Sequence, residues 1–550
     1  MACRKSNVDE PIYNITKTVV DDSAMVVTAH PEATRIGLEI LRAGGNAVDA
    51  SIAVQMALAV CYPVAGNIGG GGFMIYRDNA GNAYSLDYRE KAPGAAFPDM
   101  YLDSLGNPID KLSTKGHLAA GVPGTVDGMY RAYQRFSKLK DWKKLIQPAI
   151  DLAEKGYKVT ERQAKAYNRY QEDFKKYNTQ DHAFTGEWKK GQLLIQGDLA
   201  ETLKRVRDGG RDGFYSGKTA ELLVAEMNRG NGVITLEDLQ NYESKWREPV
   251  KTTYRGHTVI SMPPPSSGGV ALSQLLSMVE PYDLREMGFQ SPESVHLIVE
   301  AERRVYADRA TYLGDPDFFS VPIDTLTSKY YTASRMANFD KEQASISDST
   351  EAGVIESEET THYSILDPYG NAVSMTTTLN GGFGSTTIVG GGGFFLNNEM
   401  DDFSIKPGVP NMFGLIGAEA NKVEAGKRML SSMTPSIVEK DGSLYIVVGT
   451  PGGSTIITSV FQTIINIIDY DMNASEAVQA PRFHHQWLPD MIFHEDDALS
   501  EETKKILTDM GHKLSQRGKI GKVEAILISG GGKTVEGAAD IRADDDAKGF

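Results

Sequence analysis

Two adjacent threonines, Thr360 and Thr361, stand where an acidic stretch gives way to an apolar one, in Glu358-Glu-Thr-Thr-His-Tyr-Ser364. Threonine is common at strand starts, which is one reading of the pair. The other is chemical. A cut before Thr360 would put a hydroxyl and a new α-amino group on one residue. Such an amine titrates near ~7.7–8.0 and is substantially unprotonated close to neutral pH. It can take the hydroxyl proton and turn the oxygen into a nucleophile.

Other stretches offer complementary chemistry. Gly449-Thr-Pro-Gly-Gly-Ser454 precedes an apolar helical pattern. It reads as a plain turn or as an oxyanion hole, where free backbone N–H groups at a helix start meet developing negative charge. A phosphate loop is disfavoured, because the Lys-Ser/Thr ending is missing. Arg89 ends a predicted strand and carries the fork that suits a carboxylate, although a surface ion pair would also explain it. Asn397-Asn-Glu-Met-Asp-Asp402 supplies carboxylates for an ammonium group, or forms a turn. Ser431-Ser432 adds two hydroxyls. His484-His485 invites a metal reading, but neighbours on a strand point to opposite faces. No HExxH motif is present, so neither a metal nor a cofactor is expected.

These groups need elements to hold them. Pro31–Leu41 has helical periodicity, and Asn46 is placed to cap a second helix over Ala47–Val60. Strands are predicted at Phe73–Tyr76 and Ala83–Tyr88, joined by a tight turn. Residues 127–250 are richer in charge and helix, with helices over Trp142–Gly156 and Leu199–Val206. Within them, residues 160–195 read as an exposed helical elaboration. Pro263–Gly269 turns rigidly into a helix, and Ser294–Tyr312 is a long one. Residues 340–359 are acidic and apolar-poor, as in a mobile linker. Beyond it lie three hairpins, with strands at Tyr363–Leu366 and Ala372–Leu379, Ser436–Glu439 and Leu444–Val448, and Val523–Ser529 and Thr534–Glu536. The helix between them carries Ile456, Ile457, Val460, Phe461, Ile464, Ile465 and Ile468 on one face. The class is α+β, with sheets layered against helices.

Composition sets outer bounds. The 550 residues are 41% hydrophobic and 24% charged, as in ordinary globular proteins. A net charge of −16 argues against nonspecific binding to nucleic acid or anionic lipid. Two cysteines, Cys3 and Cys61, exclude a disulfide framework, a Cys-rich zinc site and an iron–sulfur centre. No apolar run reaches the ~18 residues of a membrane helix, and Ala50–Val60 reads as buried core. The opening MACRKSNVDE has no apolar run of a signal peptide, so a native leader is expected to be missing, with Cys3 a candidate relic of lipid attachment.

Read jointly, these stretches resemble the γ-glutamyltransferase family, the γ-glutamyltranspeptidases or glutathione hydrolases. The likeness is carried by Gly45-Asn-Ala-Val-Asp-Ala50, Gly66-Asn-Ile-Gly-Gly-Gly-Gly72, Asp87-Tyr-Arg-Glu90, Gly121-Val-Pro-Gly124, Pro264-Pro-Ser-Ser-Gly-Gly269, Thr360-Thr-His-Tyr-Ser364, Leu430-Ser-Ser-Met433 and Pro481-Arg-Phe-His-His485. It implies an N-terminal-nucleophile hydrolase, a four-layer αββα sandwich of two mainly antiparallel sheets. It implies self-cleavage between Glu359 and Thr360 into a large subunit, 1–359, and a small one, 360–550, that stay together as a heterodimer. By the resemblance, Thr360 attacks the γ-glutamyl amide of glutathione or a related compound, Thr378 hydrogen-bonds the nucleophile, and Gly452 and Gly453 form the oxyanion hole. Arg89, aided by Ser431 and Ser432, holds the α-carboxylate, while Asn380, Glu399 and Asp402 hold the α-amino group. The acyl group then passes to water or to an amino acid or dipeptide acceptor. The family implies a periplasmic or cell-surface home. Met429 replaces a common Pro, Glu399 is Gln in some relatives, Phe413 in the lid segment 406–415 replaces a common Tyr, and Glu359 precedes the cut. The rival expectations are a cephalosporin-side-chain acylase, a poly-γ-glutamate transferase, and an uncleaved pseudoenzyme that only binds γ-glutamyl compounds.

Overall fold

The computed structural model describes residues 11–347 and 360–550. Two seven-stranded antiparallel sheets dominate it. One runs Thr18–Asp21, Thr534–Ala539, Glu524–Ser529, Ser443–Gly449, Ser436–Lys440, His257–Ser261, Val250–Tyr254. The other runs Asp546–Gly549, Met25–Thr28, Thr360–Leu366, Ala372–Thr378, Gly71–Arg77, Ala83–Asp87, Lys245–Arg247.

Strand alternation builds the layers. Met25, Val27, Phe73 and Ile75 of the second sheet meet Ile260, Ile437, Val447 and Ile526 of the first between the sheets. Their chain neighbours Val26 and Met74 point the other way, into the helices Pro31–Arg42 and Ala47–Cys61. On the far side, Gly268–Val279, Pro292–Tyr312 and Ile456–Ile468 cover the first sheet. The result is four layers, αββα.

The helix Ala47–Cys61 is buried along its whole length, a core helix as its sequence suggests. Its start is fixed by a capping box. Asn46 Oδ1 accepts from the Asp49 amide at 3.0 Å, and the Asp49 carboxylate accepts from the Asn46 amide at 3.0 Å.

Three expectations change. Residues 160–195 are helical and largely exposed, as expected, but one stripe of them is not. Tyr167, Phe174, Phe184 and Trp188 are buried, and Phe174 meets Phe383 at 5.2 Å between ring centroids while Phe184 meets Phe395 at 5.0 Å. The polar residues between them obscured an aromatic stripe. The linker reading also weakens at its start, because the Ser345 amide donates to Glu300 at 3.0 Å and the Ser347 amide to Asp490 at 2.9 Å. Its remainder, 348–359, lies outside the described residues, as do Glu359 and Cys3. Finally, the strand expected from Tyr363 already begins at Thr360.

Candidate active site

Thr360 is the first residue of a central strand, paired directly with Thr378 on the next one. Period-two alternation turns Tyr363 and Ile365 toward the helices and Thr360, His362 and Ser364 toward the other sheet. Polar contacts fix that face. Ser364 Oγ donates to the Glu524 carbonyl at 3.0 Å, Ser374 Oγ donates to the Val448 carbonyl at 3.0 Å, and His362 Nδ1 lies 2.8 Å from Thr376 Oγ1. Burial pushes the His362 imidazole down to about 3, so it stays neutral and structural. Thr360 Oγ1 then sits 3.3 Å from Thr378 Oγ1. The Asn380 amide donates to that Thr378 oxygen at 2.7 Å, leaving the Thr378 proton free to point toward Thr360. Gly70 lets the neighbouring strand come close, since a Cβ there would lie 2.1 Å from the Thr378 carbonyl oxygen.

A single narrow pocket is lined by Thr360, Thr378, Asn380, Arg89, Glu399, Asp402, Phe413, Ser431, Ser432 and Gly453. Every one of them was singled out from sequence. Gly452 is the exception, lining the adjoining open cleft instead. Gly453 adopts φ +55°, and a Cβ on it would meet Phe413 at 2.7 Å, so this turn and segment 406–415 fit only with glycine.

Arg89 is buried and ion-paired to both Glu399 and Asp402, with its Nε on the Met429 carbonyl at 3.3 Å. Its sequence-based partner was a ligand carboxylate. The structure pairs it with the protein's own carboxylates, so the ion-pair reading of Arg89 also holds, though in a buried place rather than at the surface. Burial raises the Glu399 carboxyl well above its ordinary range, with Glu90 adding to the rise and Arg89 opposing it. Asp402 moves the same way for the same first reason, against the pull of Arg89. Asp402 also accepts from Asn411 Nδ2 at 3.2 Å, and Asp401 from the Met412 amide at 2.9 Å, so segment 406–415 is tied to the carboxylate turn.

Two pocket-side groups were missed. Glu90 is buried against Arg89 Nη1 at 3.6 Å, with no hydrogen bond to either carboxyl oxygen among the described residues. Arg309 lines the pocket from the helix Pro292–Tyr312, which the sequence marked only as a long helix.

The histidines do not converge. His484 Nδ1 meets Thr458 Oγ1 at 2.9 Å and its Nε2 meets Gln486 at 2.9 Å, whereas His485 Nε2 meets Asp490 at 3.2 Å. Another trio, His296, Glu300 and His512, is close enough to hold a cation. Arg303 and Arg304 already occupy the Glu300 carboxylate, and two guanidinium charges oppose a cation there.

A stacked pair of antiparallel sheets between helical layers, with a threonine opening a central strand at a polar pocket, defines the N-terminal-nucleophile hydrolase fold. The family model for gamma-glutamyltranspeptidase matches residues 33–550. The chain belongs to that family. It is 48% identical to the glutathione hydrolase proenzyme of Pseudomonas aeruginosa, covering 95% of this chain and 93% of that one. It is 44% identical to the glutathione hydrolase proenzyme of Escherichia coli, over 98% and 93%. The solved cephalosporin acylase of Bacillus halodurans superposes with a TM-score of 0.85 at 25% identity, covering 99% of both chains.

Proposed function

We propose that the chain is a self-cleaving γ-glutamyl hydrolase and transferase acting on glutathione and related γ-glutamyl amides. One observation carries this: the threonine hydroxyl shares its pocket with a buried guanidinium that is matched by two carboxylates. A zwitterionic amino-acid head fits that arrangement. Its carboxylate takes the Arg89 fork and the Ser431 and Ser432 hydroxyls, while its ammonium takes Glu399, Asp402 and Asn380. The head brings one charge of each sign, so its entry leaves the net charge of the buried site unchanged. A glutaryl group has no ammonium and would leave the carboxylates uncompensated, so the acylase reading ranks second.

The chemistry runs in two stages. Thr360 Oγ attacks the Glu359 carbonyl, giving an ester that water hydrolyses, and residues 1–359 and 360–550 remain together. The freed α-amino group of Thr360 then accepts the hydroxyl proton as Oγ attacks the γ-glutamyl carbonyl. Thr378 orients the hydroxyl. The backbone at Gly452 and Gly453 stabilises the tetrahedral oxyanion. The proton passes to the leaving amine, cysteinylglycine for glutathione, and water or an amino acid or dipeptide amine takes the acyl group. No metal or cofactor enters the scheme. The enzyme acts in the periplasm or at the cell surface, the home its family implies.

Intact mass under denaturing conditions, together with γ-glutamyl-p-nitroanilide turnover, tests the proposal. Fragments split between Glu359 and Thr360 and an active enzyme are expected. Thr360→Ala should remain uncut and inactive, because one hydroxyl serves both steps. An uncut parent chain that still binds γ-glutamyl compounds would make it a binding relative. Cleavage of glutaryl amides alone would make it an acylase.

A further inference from the structure

Arg309 is a buried guanidinium at the pocket with no carboxylate in salt-bridge range among the described residues. Burial lowers its proton affinity against the pull of Tyr306 and Asp402, and among the described residues its side-chain hydrogen bonds go to hydroxyls. Its Nη2 donates to Ser432 Oγ at 3.1 Å and its Nε donates to Ser267 Oγ at 3.0 Å. Ser267 Oγ passes the contact on, donating to the Ser431 carbonyl at 2.6 Å. The Met433 amide donates to Ser431 Oγ at 3.1 Å. A hydroxyl that accepts from a protein N–H must direct its own proton elsewhere. Both serines therefore receive an N–H, and among the described residues no protein acceptor takes either hydroxyl proton.

We infer that Arg309 is a positioning residue that sets the direction of the Ser432 hydroxyl and, through Ser267, the place of the Ser431 backbone, so that both serines donate to the α-carboxylate of the γ-glutamyl group. Direct contact holds Ser432, and the Ser267 relay holds the backbone of Ser431. The guanidinium also leaves the pocket with a positive charge that Arg89 alone cannot provide, because Glu399 and Asp402 already pair with Arg89. Specificity for an α-carboxylate thus rests on two arginines, one forming the fork and one setting hydroxyl direction. This assignment presupposes the γ-glutamyl reading above.

Two donors separate the possibilities: γ-glutamyl-p-nitroanilide and 4-aminobutyryl-p-nitroanilide, which lacks only the α-carboxylate. In Arg309→Gln, KM for the first should rise about 10- to 100-fold, the range for losing a charge-assisted hydrogen bond, with kcat within about threefold. The second donor should be used as in the parent. Arg309→Lys should be intermediate, restoring charge without both N–H contacts. In a Ser432→Ala background, Arg309→Gln should add much less than it does alone, because the two act in series. Processing into two fragments, read by mass, reports that each variant folds. If Arg309→Gln fails to process, Arg309→Lys carries the comparison. An unchanged KM, an equal loss with both donors, or full additivity with Ser432→Ala would overturn the assignment. If the parent turns over neither donor, the proposed function falls. Calorimetric binding of L-glutamate against 4-aminobutyrate then decides Arg309 by the same preference.

Discussion

At the scale of single residues, the pocket is a charge-balance problem, and Glu90 is its least expected member. Burial holds this carboxyl protonated up to about 8, against the opposing pull of Arg89. The sign follows from linkage. An unfolded glutamate loses its proton near ~4.3, so between there and about 8 the unfolded chain binds fewer protons and stability falls as pH rises. Glu90→Gln stays neutral and also removes one cause of the rise at Glu399. The melting temperature should therefore drop less between pH 5 and pH 8 in the variant than in the parent. Equal drops would mean that Glu90 ionises normally in the fold. Glu90 was not legible as a functional group, since nothing in Asp87-Tyr-Arg-Glu90 says which side chain lies under the fork and which joins it. Thr360, Arg89, Asp402 and the serine pair were each ambiguous by type and were singled out by the family resemblance; the structure lines one pocket with them. Arg309 was not singled out, because one arginine on a long charged helix reads as surface.

At the scale of elements, the aromatic stripe of 160–195 backs the segment that carries Asn380 into the pocket. Phe174 packs edge-on to Phe383, whose segment follows the strand end at Thr378 and carries Asn380. Asn380 holds a left-handed φ of +72°, a conformation that persists only where its surroundings insist on it. Its Nδ2 donates to the Asn398 carbonyl at 3.1 Å, and the Gly381 amide donates to Asn398 Oδ1 at 2.8 Å. Phe174→Ala should cost about 3–5 kcal/mol, the range for emptying an aromatic core position. It should also raise KM for the donor, because the Asn380 loop loses its support. Urea unfolding and steady-state kinetics on the same preparation would show both. A variant with the parent midpoint would mean that the stripe is peripheral after all. Helices with clear caps or long periodicity, such as Ala47–Cys61 and Ile456–Ile468, were readable from local pattern alone. The stripe was not, since its partners Phe383 and Phe395 lie some two hundred residues away and contact is a property of the fold.

At the scale of the whole molecule, the proposed cut before Thr360 would divide the chain but not the sheets. Met25–Thr28 and Gly71–Arg77 flank the hairpin that starts at Thr360, and His257–Ser261 pairs with Ser436–Lys440 in the other sheet. The tail contributes in return, with Thr534–Ala539 against Thr18–Asp21 and Asp546–Gly549 against Met25–Thr28. We therefore propose one interlocked unit rather than two domains. Neither fragment retains a complete sheet, and the inter-sheet core draws Met25 and Phe73 from one side of the cut and Ile437 and Ile526 from the other. Separation would expose that core together with rows of unpaired strand edge, a cost far above the few kcal/mol of an ordinary surface contact. After complete processing, size-exclusion chromatography in native buffer should give a single species near the 60.0 kDa of the uncut chain, or a multiple of it, while denaturing electrophoresis shows two bands. Heating should melt both fragments in one transition. Fragments that part in native buffer, or melt at separate temperatures, would mean that the seams crossing the cut do not hold the molecule together and that each half has a core of its own.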